Sequence, residues 1–433
     1  MTQYHGAQHQ LIQQVRRLDG VSRTDQVGDV LISGDAIAAI APQINDFPPA
    51  TEVIDGRDKV LLPGLVDLYS QSGEPGYEQR ETLLSLMRSA TAGGVTRLGI
   101  LPTTSPALDQ PALLAALHRR RQEQPSPAVL PHLYPWAALT VGTQGQQMTE
   151  LGELALAPSV GFSDGQPLPH PLLLQRLLQY LQPLGKPVAF WPCDSSLRAD
   201  GVAREGPHAL IYGLSTDPPS SETAPLAALL EMVALVGTPL HLMRLSTARG
   251  VDLVRQAKAQ GLAITASTSW LHLLLSSQDL HSYDANLHLA PPLGTPEDRA
   301  ALVAAVKTGV IDAIAIDHTP YTYEEKTVGF AAAPPGAIGL ELAWPLLWQH
   351  LVAEGDWAVL DLVQALSTRP AHCWGQSPPR LQVGEPAELA LFDPACLWTV
   401  NASSLQSQAA NTSWWGETLR GKILRTWVPI APA

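Results

Sequence analysis

Residues 62–81 read LPGLVDLYSQSGEPGYEQRE, and this stretch decides how the rest of the chain is organised. An apolar run over residues 60–66 leads into Asp67, Leu68 and Tyr69, after which the sequence turns polar around Glu74, Pro75 and Gly76. Such a run is a strand buried on both faces that empties into a loop at its carboxyl end, and loops of that kind carry function.

Outward from this strand, short apolar runs alternate with longer segments of helical period. The spacing predicts strands over 60–68, 96–102, 129–138, 159–162, 187–191, 239–245, 263–266 and 311–316. Helices are predicted between them over 82–92, 110–124, 171–181, 221–236, 248–260 and 296–309, and a further helix over 339–353 follows the eighth strand. Eight strands with interleaved helices make a (β/α)8 TIM barrel, an α/β fold whose functional face is the carboxyl ends of the strands.

The two ends of the chain read differently. Short alternating strands over 27–32, 36–40 and 52–55, and again over 381–391, 397–400 and 419–428, are set off by turn residues such as Gly34, Asp35, Gly384, Gly416 and Gly421. Each set is too small to be a domain. The expectation is one small β-sandwich formed by residues 1–59 plus 375–433, with the barrel, residues 60–374, inserted between.

Composition narrows the function classes. With 45% hydrophobic residues the 433-residue chain can fill a large core, and a formal net charge of −13 argues against nucleic-acid or anionic-membrane surfaces, which need clustered Lys and Arg. The basic cluster Arg119, Arg120 and Arg121 closes a predicted helix and reads as a solvated face. Cys193, Cys373 and Cys396 are too few and scattered for a disulfide framework, so a cytoplasmic location is expected. The polar start, with His5 and His9 among glutamines, does not read as a signal peptide, and no run of about 18 apolar residues would span a membrane.

The strand ends are poor in metal donors. They offer Tyr69 and Gln71, then Thr103, Ser163 and Asp164, Trp191 to Asp194, Arg244, Trp270 and His272, and finally Asp317 and His318. A metal hydrolase needs His, Asp, Glu or Cys in converging sets there.

Several stretches resemble the dihydroorotase family of the amidohydrolase superfamily. The opening strand is similar to the family's D-L-H-V-H-L-R-E-P-G, residues 290–293 (APPL) to N-P-P-L, residues 311–320 (IDAIAIDHTP) to I-D-A-I-A-T-D-H-A-P, and residues 333–341 (APPGAIGLE) to A-P-F-G-I-V-G-L-E. The resemblance implies where the family's chemistry would sit. Its first zinc-binding His pair falls on Tyr69 and Gln71, its substrate-binding Arg on Gly73, and its later zinc-binding His residues on Trp191 and Arg244. The bridging acid falls near Asp164, two substrate-binding Asn on Thr103 and Ala290, and the final His on Tyr321. Asp317 alone matches the proton-shuttling carboxylate, which makes it a vestigial catalytic residue.

Site expectations follow. Arg244 should serve Asp317 as counter-charge in place of zinc, because a bare buried carboxylate is costly. Trp191 should fill the pocket, His318 should be a packing residue, and His241 should face away from Arg244. The resemblance implies a noncatalytic member of pyrimidine biosynthesis without zinc, acting as a structural partner of aspartate carbamoyltransferase in a homo- or hetero-oligomer. Two competing readings are an active dihydroorotase with ligands such as Cys193, Asp194 and Asp317, and a metal-free hydrolase of a cyclic amide that uses Asp317 and Arg244.

Overall fold

Gly64 divides the apolar run with which the barrel begins. The computed structural model of the chain, which describes residues 9–124, 129–167 and 170–429, places Val60–Pro63 in the terminal sheet. There it lies parallel to Arg16 and Arg17 and antiparallel to residues 389–392. Only Leu65–Ser70 enters the barrel, parallel to Val95–Ile100. The domain boundary expected at residue 60 therefore lies at Gly64. Both short strands are buried on both faces, so no change of hydrophobic period marks the passage from one to the other. A Cβ at Gly64 would come within 2.4 Å of Thr96 side-chain atoms, which leaves room for glycine alone.

The terminal segments form the β-sandwich domain, its strands joined in one seven-stranded sheet. The order runs Thr418–Trp427, Leu389–Thr399, Val60–Pro63, His9–Asp19, Thr24–Ser33, Ala36–Ala41, and Glu52–Asp55 also pairs with His9–Asp19. Ile12, Val30, Ile37, Leu61, Leu389 and Trp427 pack as its own core. On its other side Phe392 meets Trp344 and Trp348, at ring-centroid distances of 5.9 and 5.1 Å, and so seats the sheet on the barrel's helices. The polar start with His5 lies outside the described residues.

Eight parallel strands build the barrel as two arcs. Leu65–Ser70, Val95–Ile100, His132–Ala137 and Gly161–Phe162 form one; Ala189–Phe190, Leu240–Leu242, Ile264–Ser269 and Ala313–Ala315 form the other. A parallel bridge from Phe162 to Val188 joins them on one side. On the other, the Gln71 N–H donates to the His318 carbonyl at 2.8 Å, and the Asp67 carboxylate accepts from the Ile316 N–H at 2.8 Å. Asp67 is fully buried, and burial pushes its carboxyl up to about 7.

The helices end where their sequences say they should. Thr82, Thr247 and Thr295 each cap a helix by accepting an N–H of its first turn, and Gly309, at φ 80°, closes Pro296–Thr308. The helix expected over 339–353 starts only at Ala343 and passes at Trp348 into a wider, π-type turn. Among the described residues no helix is long and apolar enough to cross a membrane.

Candidate functional site

Strand alternation alone would turn Arg244 outward. Met243 packs inside the barrel with Tyr69 and Trp191, whereas Leu242 packs on the helix side. Arg244 instead adopts φ 54°, a left-handed conformation that non-glycine residues rarely take, and this returns its side chain to the barrel mouth. Asp317 adopts φ 51° at the end of the eighth strand. Both strained residues belong to one contact.

Arg244 Nε donates to Asp317 Oδ2 and Nη2 to Oδ1, each at 2.7 Å, while Nη1 donates to the Gly165 carbonyl at 2.9 Å. The pair is nearly enclosed, with side chains 5% and 12% exposed. Burial would lower the Arg244 pKa, but the field and hydrogen bonds of Asp317 outweigh it and hold the guanidinium above its usual value. The guanidinium charge is therefore kept, and the two side chains meet in the parallel two-bond geometry that suits guanidinium and carboxylate.

Beneath this pair lies a second buried network. The Tyr69 hydroxyl accepts from the Arg244 N–H at 3.1 Å and shares a hydrogen bond with Ser267 Oγ at 2.8 Å; Ser267 Oγ also meets His241 Nε2 at 2.8 Å. His241 thus faces the barrel interior, and the face expected of it relative to Arg244 is corrected, because the left-handed turn at Arg244 ends the alternation. Burial drives the His241 ring down to about 3, so it stays neutral. A shift in strand register between Asp67 and Ser70 accompanies the inward turn of Tyr69.

Above the pair a cavity of about 490 Å³ remains open. Trp191 therefore does not fill the pocket; its ring forms one wall, 5.1 Å from the Arg244 guanidinium. Gln71, Thr103, Ala290, Tyr321, Arg244 and Asp317 line the same cavity. Tyr69 lies below it.

Gly73 and Asp164 do not line it. At Gly73 a Cβ would stand 2.3 Å from the Glu81 carbonyl, and its own carbonyl accepts from the Tyr77 N–H at 2.6 Å, so the residue serves a tight turn. Asp164 points into the loop after the third strand, where it accepts from the N–H groups of Leu139 and Thr140 at 2.8 and 3.0 Å and from the Thr140 hydroxyl at 2.6 Å. Those donors draw the carboxylate away from the mouth, while burial raises its pKa.

Cys193 and Asp194 belong to a different cavity, of about 480 Å³, shared with Leu174, Ala228 and Met232. Burial pushes the Cys193 thiol up to about 12, and the Asp194 carboxylate is committed to the Ser196 and Leu197 N–H groups. Neither converges with Asp317. His272 is buried, driven down to about 4 by burial, and bonded through Nε2 to the Pro292 carbonyl at 3.2 Å. His318 is fully buried; its Nδ1 accepts from the Gly339 N–H at 3.2 Å and its Nε2 faces Glu81 at 3.5 Å, a packing role. Trp414 stacks on Trp270 at 5.4 Å, while Trp415 is half exposed.

The zinc used by the enzymes that the chain resembles does not fit these residues. Among the described residues no three His, Cys, Asp or Glu side chains stand together as a metal ion would require. A guanidinium also occupies both oxygens of Asp317, whose carboxylate is the one that lines the mouth among the described residues.

Sequence reasoning missed several residues around the pocket. Arg80 and Arg198 line it, and Asn411 braces it from the terminal domain. The Asn411 side chain accepts from the Tyr321 N–H at 3.1 Å and donates to the carbonyls of Thr319 and Gly336 at 2.9 and 3.2 Å. Arg198 follows the fifth strand on the barrel's functional face, and that placement alone was the available signal.

A family model described as Dihydro-orotase-like matches residues 58–248. A probable dihydroorotase-like protein of Synechocystis is 45% identical, over 95% of this chain and 98% of its own length. A dihydroorotase of Mycobacterium leprae is 36% identical, over 92% of this chain and 93% of its own. Among solved structures, the L-hydantoinase of Arthrobacter aurescens superposes with a TM-score of 0.83 at 20% identity, covering 98% of this chain and 97% of its own, which shows a shared fold.

Proposed function

The chain belongs to the dihydroorotase-like family, and from that premise we propose that it is a member without hydrolytic activity. In this reading it is a structural partner of aspartate carbamoyltransferase in pyrimidine biosynthesis, working in the cytoplasm. One observation carries the loss of chemistry: the Arg244–Asp317 ion pair stands where a metal site would need open donors.

The arithmetic favours the same reading. A zinc-bound water has a pKa near 7 against about 16 for free water, so a site without the ion has no nucleophile at neutral pH. A lone carboxylate acting as general base supplies roughly 10²- to 10⁴-fold, well below typical enzymatic accelerations of at least about 10⁶-fold. Asp317 has both oxygens engaged by Arg244, which also weighs against its use as a base in a metal-free hydrolase. Dispersal of Cys193 and Asp194 into another cavity weighs against an alternative ligand set.

The partner assignment rests on the family resemblance. It is tested by size-exclusion chromatography of the purified chain mixed with the aspartate carbamoyltransferase of the same organism. Co-elution in a larger assembly, with no ring opening of dihydroorotate in any fraction attributable to this chain, is the expected result. Separate elution would contradict the structural-partner role.

A further inference from the structure

The connection between the last two strands of the terminal sheet, residues 400–417, leaves that sheet and lies across the barrel as a strap. Asn411, toward its far end, holds the wall of the mouth. The middle of the strap is held by two buried carboxylates. Glu341 accepts from the Gln406 N–H at 2.9 Å and from the Ser407 N–H at 3.0 Å. Glu81 accepts from the Gln408 N–H at 3.0 Å and from the Ser407 hydroxyl at 2.5 Å. Ser407 is thus gripped by both acids, through its N–H by one and through its hydroxyl by the other.

Little positive charge offsets these acids. From Asn401 to Ser413 the strap carries no charged side chain. Behind Glu81 the His318 ring faces it through Nε2 at 3.5 Å, while its Nδ1 accepts from the Gly339 N–H. Arg80, next to Glu81 in the chain, is engaged by Glu325. Glu341 has no cation within ion-pair distance among the described residues, and its neighbours besides the strap are the Ser89 hydroxyl and Glu81 itself. Burial would raise the Glu81 carboxyl, but the hydrogen bond and field of His318 hold it below the ordinary range. Burial, with the Glu81 charge added, pushes Glu341 up to about 7. Two carboxylates that grip one residue do not both ionise without cost, so the closed strap retains a proton. Gln406 and Gln408 stand exposed on either side of Ser407, and a small outward movement of the strap admits water to both acids.

We infer that the strap is a proton-operated latch between the terminal domain and the barrel: it stays closed while Glu81 and Glu341 hold one proton between them, and it opens locally when that proton leaves, releasing Asn411 from the mouth wall. With the strap closed Glu341 keeps its proton up to about pH 7, whereas a glutamate exposed by opening loses it near 4.5. The latch is therefore strongest below about pH 4.5 and weakens as the pH rises through 7.

Hydrogen-exchange mass spectrometry of the full chain between pH 5.5 and 8.5, corrected for the pH dependence of intrinsic exchange, reads strap opening over residues 405–412, with the helix Pro296–Thr308 as internal reference. Strap protection should fall by about 30-fold relative to that helix across the range. Glu341→Gln keeps an acceptor oxygen but cannot ionise, so its strap protection should stay constant over the same range. Strap protection in the unsubstituted chain that does not change with pH relative to the helix would overturn the inference, whether or not the variant folds. A Glu341→Gln strap whose protection falls as steeply as that of the parent would overturn it as well.

Discussion

Arg244 and Asp317, from the sixth and eighth strands, meet through two hydrogen bonds of 2.7 Å, and each residue takes a left-handed backbone conformation to do so. Strain at two positions is tolerated because the contact they make replaces water for both charges. Removing one partner leaves a buried charge alone. Arg244→Met or Asp317→Leu should each destabilise the fold by about 3–5 kcal/mol, and the double variant should cost much less than the sum. Urea unfolding of the four proteins measures this; additive losses would mean that the two charges do not depend on each other.

Reversal of one position should not restore catalysis. In Arg244→His the barrel still carries Tyr69, Gln71 and Trp191 where the family resemblance places other zinc ligands, so ring opening of dihydroorotate with added zinc should stay at the no-protein background. A rate above background in this single variant would show that the remaining residues suffice.

The buried histidine sets a pH dependence. His241 has a folded-state pKa of about 3 against an ordinary 6.5, so the folded protein binds fewer protons than the unfolded chain between those values. Its contribution is present above about pH 6.5 and is lost as the pH falls toward 3. At pH 4.5 this amounts to about 2–3 kcal/mol. His241→Gln should flatten the fall in stability between pH 6.5 and 4.5, whatever its effect at neutral pH. An unchanged slope would mean that the ring is protonated in the fold.

Asn411 ties the terminal domain to the pocket wall. Asn411→Ala removes three hydrogen bonds to the backbone around Tyr321, Thr319 and Gly336, and should cost about 2–3 kcal/mol, with faster amide exchange at Tyr321. Hydrogen-exchange mass spectrometry reads the local effect; protection at Tyr321 unchanged from the parent protein would remove the bracing role.

Much of the architecture was legible because barrel strands repeat a strong pattern. Runs such as residues 311–316 and 239–245 are apolar enough to be found, and the glycine- and proline-rich punctuation separates them from helices. The boundary at Gly64 was not legible, since two strands buried on both faces read as one. His9–Asp19 escaped because Gln13, Gln14, Arg16 and Arg17 interrupt its alternation, and a register shift between Ile12 and Val15 breaks its pairing with the next strand. Leu389–Thr399 reads as two pieces for a like reason, its register slipping between Asp393 and Leu397.

At the site, residue type was legible and direction was not. Arg244 and Asp317 stand out as opposite charges at the same rim, two strands apart, but the left-handed turns that aim them leave no mark in composition. Trp191 reads as a plug by size, yet whether a ring fills a space or walls it depends on its rotamer. Asp164 reads as a rim acid, and three nearby donors turn it aside. Arg198 sits in a short polar segment with nothing to distinguish it from a solvated surface residue; only the absence of a partner singles it out.

Metal content of the purified full-length chain, measured by mass spectrometry after zinc loading and dialysis and paired with a dihydroorotate ring-opening assay, tests the central claim most directly. The account predicts zinc far below one ion per chain and no turnover. Stoichiometric zinc, with ring opening abolished by a chelator and regained on adding the metal back, would contradict it.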